Sequence, residues 1–277
     1  MSALSLGFSP CPNDTFAFAA LVRGLIPGAP TFAERLEDIE TLNHLAMNEK
    51  LDVAKVSFHA LAHLRNTYCL LHAGGALGRG CGPLVVAREE VEPADLHARK
   101  IAAPGKLTTA VLLLRLFDPR MGELVLMPFH RIMDAIRAGE VDAGLIIHES
   151  RFTYPHYGLK QVMDLGHWWE EETGHPIPLG GIVARRALGA ELIGAVNRGL
   201  RASVEYARAY PERVMDYVAA HAQELDPQVM QAHIDLYVNE HTLDYGPSGE
   251  VAIADLLARA AWAGVAPQSE LPLFATA

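Results

Sequence analysis

The chain has 277 residues, enough at ~150 residues per domain for about two domains that each bury a core. Half of its residues are hydrophobic and 20% are charged, a balance that offsets ordering entropy by burial and excludes a disordered or small disulfide-stapled protein. Lys plus Arg number 23 against 33 Asp plus Glu, a net charge of −10 with no basic run, which argues against a general nucleic-acid partner but leaves room for a small anionic ligand held by local dipoles.

Leu4 to Phe8 reads as a buried strand, followed by a proline-rich turn and a helix over about Thr15 to Val22. Ile39 to Met47 has helical spacing, and after a short polar turn Leu51 to Phe58 reads as a strand. An apolar run at Pro83 to Arg88 follows a glycine-rich stretch and is expected to make a first crossing. The earlier order then recurs. Lys100 to Ala103 is a strand, Pro104 and Gly105 a turn, Thr108 to Leu116 a helix, Ile132 to Ala138 helical and Val141 to His148 a strand. At an offset of 90 residues Asp52 falls on Asp142, Leu51 on Val141, Val53 on Ala143 and Val56 on Ile146. Gly181 to Arg185 is the expected return, after which Leu188 to Ala220 and Pro227 to Ala263 read as long helices with polar turns.

Strands alternating with helices predict parallel βαβ units, and the echo predicts an α/β fold of two lobes, each a mainly parallel sheet flanked by helices. Residues 1–87 with 183–277 are expected to form the first lobe and 88–182 the second, with a ligand cleft between them.

Ligands of open parallel sheets bind outside the carboxyl ends of the strands, so four strand ends frame the candidate site. At the first, Ser9-Pro10-Cys11-Pro12-Asn13-Asp14-Thr15 combines a proline-fixed turn with capping residues whose free N–H groups attract an anion. An ordinary capped turn has the same composition. Cys11 could act as a nucleophile with a lowered pKa, but with no base in its own segment it reads as a packing or site-lining thiol. Lys55 and Ser57 mark the second strand end. At the third, the Pro104-Gly105 turn presents Thr108 and Thr109 at a helix N-terminus, suited to a carboxylate or to simple capping. The GxxxxGK[ST] and GxGxxG spacings are both missing, so nucleotide loops are not expected.

His148 at the fourth strand end is the sharpest candidate. An imidazole there can accept a proton near neutral pH, worth roughly 10²- to 10⁴-fold in rate, although a hydrogen-bonded structural histidine is the plain alternative. His59 and His63 have i,i+4 spacing, but HALAH is not HExxH, so they read as surface histidines and no metal site is expected. Trp168 and Trp169 read as core, and Glu170 to Glu172 as a solvated helix face.

Three cysteines, Cys11, Cys69 and Cys81, cannot form a fully paired framework. Together with an N-terminus that carries no export signature, they suggest a cytoplasmic protein. The apolar stretch Ala110 to Leu114 ends at Arg115, far short of the ~20 residues that cross a bilayer, so no membrane span is expected.

SPCPNDTFAF at Ser9 to Phe18, GGALGRGCGPLVVA at Gly74 to Ala87, LTTA at Leu107 to Ala110, AGLIIHESRFTY at Ala143 to Tyr154 and DLGHWWEEETGHPIPLGGIVARR at Asp164 to Arg186 together resemble the 1,4-dihydroxy-6-naphthoate synthases of the futalosine route to menaquinone. The resemblance extends into the C-terminal helices. It implies a periplasmic-binding-protein-like (type II) fold working as a cytoplasmic carbon–carbon lyase, without metal or organic cofactor. The implied substrate is the carboxylated molecule cyclic dehypoxanthine futalosine, split to 1,4-dihydroxy-6-naphthoate and a sugar-derived fragment. By the same resemblance His148 is the proton acceptor, Lys55, Val56 and Ser57 line the substrate site, and Thr108 and Thr109 contact the ligand. Where the family has Arg or His after the Pro-Gly turn, this chain has Lys106 and Leu107, leaving the hydroxyl pair intact. Chorismate dehydratase of the same pathway, or a noncatalytic binding protein for a small carboxylate, are the rival readings.

Overall fold

A computed structural model describes residues 3–222 and 226–275. The first sheet opens with β1 (Leu4–Phe8), which buries Leu6 and Phe8, and the chain continues through α1 (Pro12–Val22), β2 (Phe32–Leu36), α2 (Ile39–Met47), β3 (Val53–Ser57), α3 (Phe58–Leu64), β4 (Tyr68–Leu70) and β5 (Ala76–Gly78). It then builds a second sheet with β6 (Leu84–Ala87), β7 (Ile101–Ala103), α4 (Thr109–Phe117), β8 (Val125–Leu126), α5 (Phe129–Ala138), β9 (Ala143–Ile146), α6 (Ser150–Thr153), β10 (Lys160–Asp164) and α7 (Leu165–Thr173). β11 (Ile177–Arg185) returns to the first sheet and leads into α8 (Ala190–Ala209), α9 (Met215–His221), α10 (Pro227–Tyr237), α11 (Glu240–Leu243) and α12 (Gly246–Trp262).

The two sheets are built alike. Their orders are β2-β1-β3-β11-β4 and β8-β7-β9-β6-β10, with β5 joined to β11. In each, the crossing strand, β11 or β6, runs against its neighbours while the βαβ strands run parallel. The internal echo has a physical basis in its one shared residue. Asp52 accepts hydrogen bonds from the Ser5 backbone at 2.9 Å and the Ser5 hydroxyl at 2.8 Å, and Asp142 accepts from the Lys100 backbone at 2.8 Å. Each carboxylate precedes the third strand of its unit and pins the start of the first.

The chain changes sheets earlier than expected at both points. Leu84–Ala87, grouped with the first lobe by the sequence reading, hydrogen-bonds to β9 and β10 in the second sheet. Its four residues are apolar and buried, so composition alone assigns them to neither sheet. β11 already pairs with β5 at Ile177, ahead of the expected boundary at 183. We therefore propose lobe crossings within residues 79–83 and 165–176.

One apolar core runs through α3, α4 and α12 and joins the two sheets behind the cleft. α1 and α8 cover the outer face of the first sheet and α5 that of the second. The turns expected within the C-terminal helical segments fall at Pro211 in the first and after Tyr237 in the second. Among the described residues no helix is long and apolar enough to cross a membrane.

Candidate active site

The ends of β1, β3 and β9 and the N-terminus of α4 converge on a cavity of about 90 Å³ between the sheets. Asn13, Lys55, Ser57, Thr108, Thr109 and His148 all stand in its wall. Along β3 successive side chains face opposite ways, so Lys55 and Ser57 reach the cavity. Val56, implied by the family resemblance to line the site, instead packs in the core on the other face.

Asp14, in the first turn of α1, anchors the first-lobe side. Its carboxylate accepts from the Ser9 hydroxyl at 2.8 Å, the Asn13 amide at 2.8 Å and the Lys55 ammonium at 2.5 Å. Asp14 and Lys55 are only 3% and 4% exposed, so the charges neutralise one another out of water. An ammonium carries three donors, and one of them is committed to Asp14.

Cys11 closes the turn before α1, and its Sγ lies 3.2 Å from Nδ1 of His148. Burial, and then the neighbouring Glu149 carboxylate, push the thiol well above its ordinary pKa. It therefore stays protonated near neutral pH, opposite to the lowered pKa a nucleophile needs. Cys11 stands behind His148 rather than in the cavity wall. The sulfur, a His148 nitrogen and a Glu149 oxygen lie within 4.8 Å of one another, a set that could coordinate a cation once the thiol proton is lost.

His148 follows β9 with a φ of +56°, a left-handed conformation that costs a non-glycine residue roughly 1–3 kcal/mol. Such strain persists only where the surroundings impose it. Here Cys11 touches one ring nitrogen, and the Phe129 ring lies 5.2 Å away. Burial lowers the His148 pKa to about 4, with Asp14 pulling in the other direction, so the imidazole is neutral near pH 7 and can accept a proton.

The two threonines hold the scaffold as well as the wall. The Thr108 hydroxyl donates to the Gly105 carbonyl at 2.9 Å and accepts from the Val111 N–H at 3.4 Å, capping α4. The Thr109 hydroxyl donates to the Leu179 carbonyl at 2.6 Å and accepts from the Phe58 N–H at 3.0 Å, tying α4 to β11 and α3. What α4 then offers a ligand is its N-terminal dipole and first-turn N–H groups rather than two free hydroxyls. Nearby, Glu40 of α2 accepts from the Leu107 N–H at 3.1 Å and latches the first lobe to this turn.

In the glycine-rich stretch Gly74 to Gly82, Gly82 makes a close backbone approach. A Cβ on Gly82 would lie 2.3 Å from Cα of Gly166, so the first crossing and α7 can touch only with glycine there. His59 is buried, not on the surface as its spacing suggested, because α3 lies beneath the start of α4; its Nδ1 is 3.3 Å from the Thr108 carbonyl. Trp169 is core, with its indole N–H donating to the Pro176 carbonyl at 3.1 Å.

Among the wall residues that the sequence did not single out are His233 and Tyr237 of α10. They occupy the same buried stripe as Met230 and Ile234. A histidine in an otherwise apolar stripe was the one available signal.

The profile of the menaquinone-biosynthesis family matches residues 4–262. The 1,4-dihydroxy-6-naphthoate synthase of Thermus thermophilus is 52% identical over 274 residues, covering 99% of this chain and 100% of its own. The enzyme of that name from Streptomyces coelicolor is 51% identical over 269 residues, 95% of each chain. A Candida albicans protein described as having the generic periplasmic-binding-protein fold superposes with a TM-score of 0.65 at 12% identity, covering 98% of this chain and 92% of its own. That likeness is one of fold, and it matches the two-lobed arrangement seen here. With half of its residues shared with two full-length synthases and the family profile spanning nearly its whole length, the chain belongs to the menaquinone-biosynthesis family.

Proposed function

We propose that this enzyme of menaquinone biosynthesis is a carbon–carbon lyase that converts cyclic dehypoxanthine futalosine to 1,4-dihydroxy-6-naphthoate in the cytoplasm, with His148 as the general base and without metal or organic cofactor. The observation that carries the reading is the neutral imidazole of His148, held on a left-handed backbone in a cavity shared with Lys55 and the start of α4, in a chain half identical to two naphthoate synthases.

The substrate carboxylate sits at the first turn of α4, where the helix dipole favours an anion by roughly 0.3–2 kcal/mol. Lys55, oriented by Asp14, adds donors from β3. Asn13 and Ser57 complete the polar wall. Contact between α2 and the turn before α4 closes the lobes and excludes water, which strengthens each polar contact inside. An Nδ1–H donated to the Cys11 sulfur leaves Nε2 of His148 as the acceptor. Proton removal there starts the scission, and formation of an aromatic product supplies driving force.

The solute-receptor alternative draws on a fold likeness at 12% identity, which carries no activity. Purified protein is incubated separately with cyclic dehypoxanthine futalosine and with chorismate, and products are separated by chromatography. Formation of the naphthoate from the first alone is the expected result. Saturable binding without turnover, or turnover of chorismate instead, overturns the proposal.

A further inference from the structure

We propose that His233 is a second substrate-contacting histidine, placed to hydrogen-bond a hydroxyl-bearing part of the ligand in the cavity it shares with His148. The inference rests on the lyase reading above. His233 lies on the buried stripe of α10 and is 1% exposed. Among the described residues, neither of its ring nitrogens has a hydrogen-bond partner. Folded proteins rarely leave a buried polar group unpaired, and the exceptions call for an explanation. Here the ring stands in the cavity wall beside the groups that serve the reaction.

Its other neighbours do not supply the missing bonds. The Tyr237 ring lies 4.5 Å away by centroids and the Phe152 ring 6.3 Å. The Tyr237 hydroxyl donates instead to the Cys81 carbonyl at 3.2 Å. Aromatic packing thus fixes the plane of the imidazole while leaving its polar edge for something else.

The chemistry of that edge selects the ligand group. Burial holds His233 well below its ordinary pKa, so the ring is neutral, with one donor and one acceptor nitrogen. A hydroxyl can donate and accept, so it pairs with either nitrogen. A carboxylate pairs with the donor alone, and the features that suit an anion, Lys55 and the start of α4, come from other elements. His233 therefore reads the hydroxyls and those elements the acid. A site whose buried polar group expects a hydroxyl discriminates strongly against analogues that lack it.

The test compares the wild type with His233→Phe, which keeps an aromatic ring but deletes both nitrogens, and His233→Asn, which restores one donor and one acceptor. Unfolding temperature without substrate is measured beside kcat and KM. His233→Phe is expected to be at least as heat-stable as the wild type, because an unpaired polar ring has been replaced by an apolar one. Its kcat/KM is expected to fall by about 10-fold or more, mostly through KM, with partial rescue by His233→Asn. A structural histidine gives the reverse, and wild-type kcat/KM in His233→Phe overturns the proposal.

Should His233→Phe fail to fold, ¹⁵N-histidine spectra of the His148→Asn protein titrated with substrate decide the matter. The His233 ring resonances shift on binding if the proposal holds, and unmoved resonances in a saturated complex refute it. Absence of wild-type turnover in the same assay would strike the lyase reading instead, so the two failures are separable.

Discussion

The Cys11 sulfur and Nδ1 of His148 meet at 3.2 Å across the two lobes, one at the end of β1 and the other at the end of β9. The thiol is held protonated by burial, so two hydrogen arrangements compete: S–H toward the ring, or Nδ1–H toward sulfur. Only the second leaves Nε2 bare. Cys11 is then a positioning residue for the imidazole. Cys11→Ser retains an acceptor and is expected to keep kcat within about 10-fold, while Cys11→Ala loses it and lowers kcat by roughly 10- to 100-fold with little change in KM, by analogy with partners that orient ligating histidines. Steady-state kinetics check both. Complete loss in Cys11→Ser with binding intact would instead indicate covalent catalysis.

The acid limb of the pH–rate profile follows from the half-buried imidazole of His148. The base works when neutral, so a pKa lowered to about 4 extends activity into acid rather than restricting it. The kcat/KM of the free enzyme is expected to stay flat from neutral pH to about pH 5 and to fall with an apparent pKa near 4. A bound anion favours the imidazolium, so the limb in kcat lies at higher pH than the limb in kcat/KM. Profiles taken where circular dichroism reports folded protein check this, and a kcat/KM limb at the ordinary histidine value contradicts it.

The ion pair between Asp14 and Lys55 gives a stability prediction. Removing one member strands the other charge in a buried site, so Asp14→Asn or Lys55→Met alone is expected to cost about 3–5 kcal/mol. The double variant costs clearly less than the sum of the two, because neither charge is then left unpaired. Urea unfolding of the four proteins measures the coupling, and additive losses would show that the pair does not act as a unit.

Much of the architecture could be read from local pattern. The apolar runs of β1, β3 and β9, each ending in polar residues, located three walls of the cavity, and the 90-residue offset between Asp52 and Asp142 exposed the repeated unit. The remainder depended on long-range packing. Leu84–Ala87 is equally apolar in either sheet, and only its partners assign it. The threonine hydroxyls were visible, but not that Leu179 and Phe58 would engage one of them. Val56 came in with its motif neighbours although strand alternation turns it away. His59 and His233 sit on helices whose buried faces depend on what packs over them, so the burial of His59 was legible only in three dimensions and that of His233 was signalled only by its apolar stripe.

The most direct measurement is turnover of cyclic dehypoxanthine futalosine by His148→Asn, with substrate affinity determined separately by calorimetry. A fall in kcat of roughly 10²- to 10⁴-fold with affinity largely retained is expected, since a proton acceptor has been removed and the anion-binding groups have not. A folded His148→Asn protein that turns over substrate at close to the wild-type rate would contradict His148 as the general base.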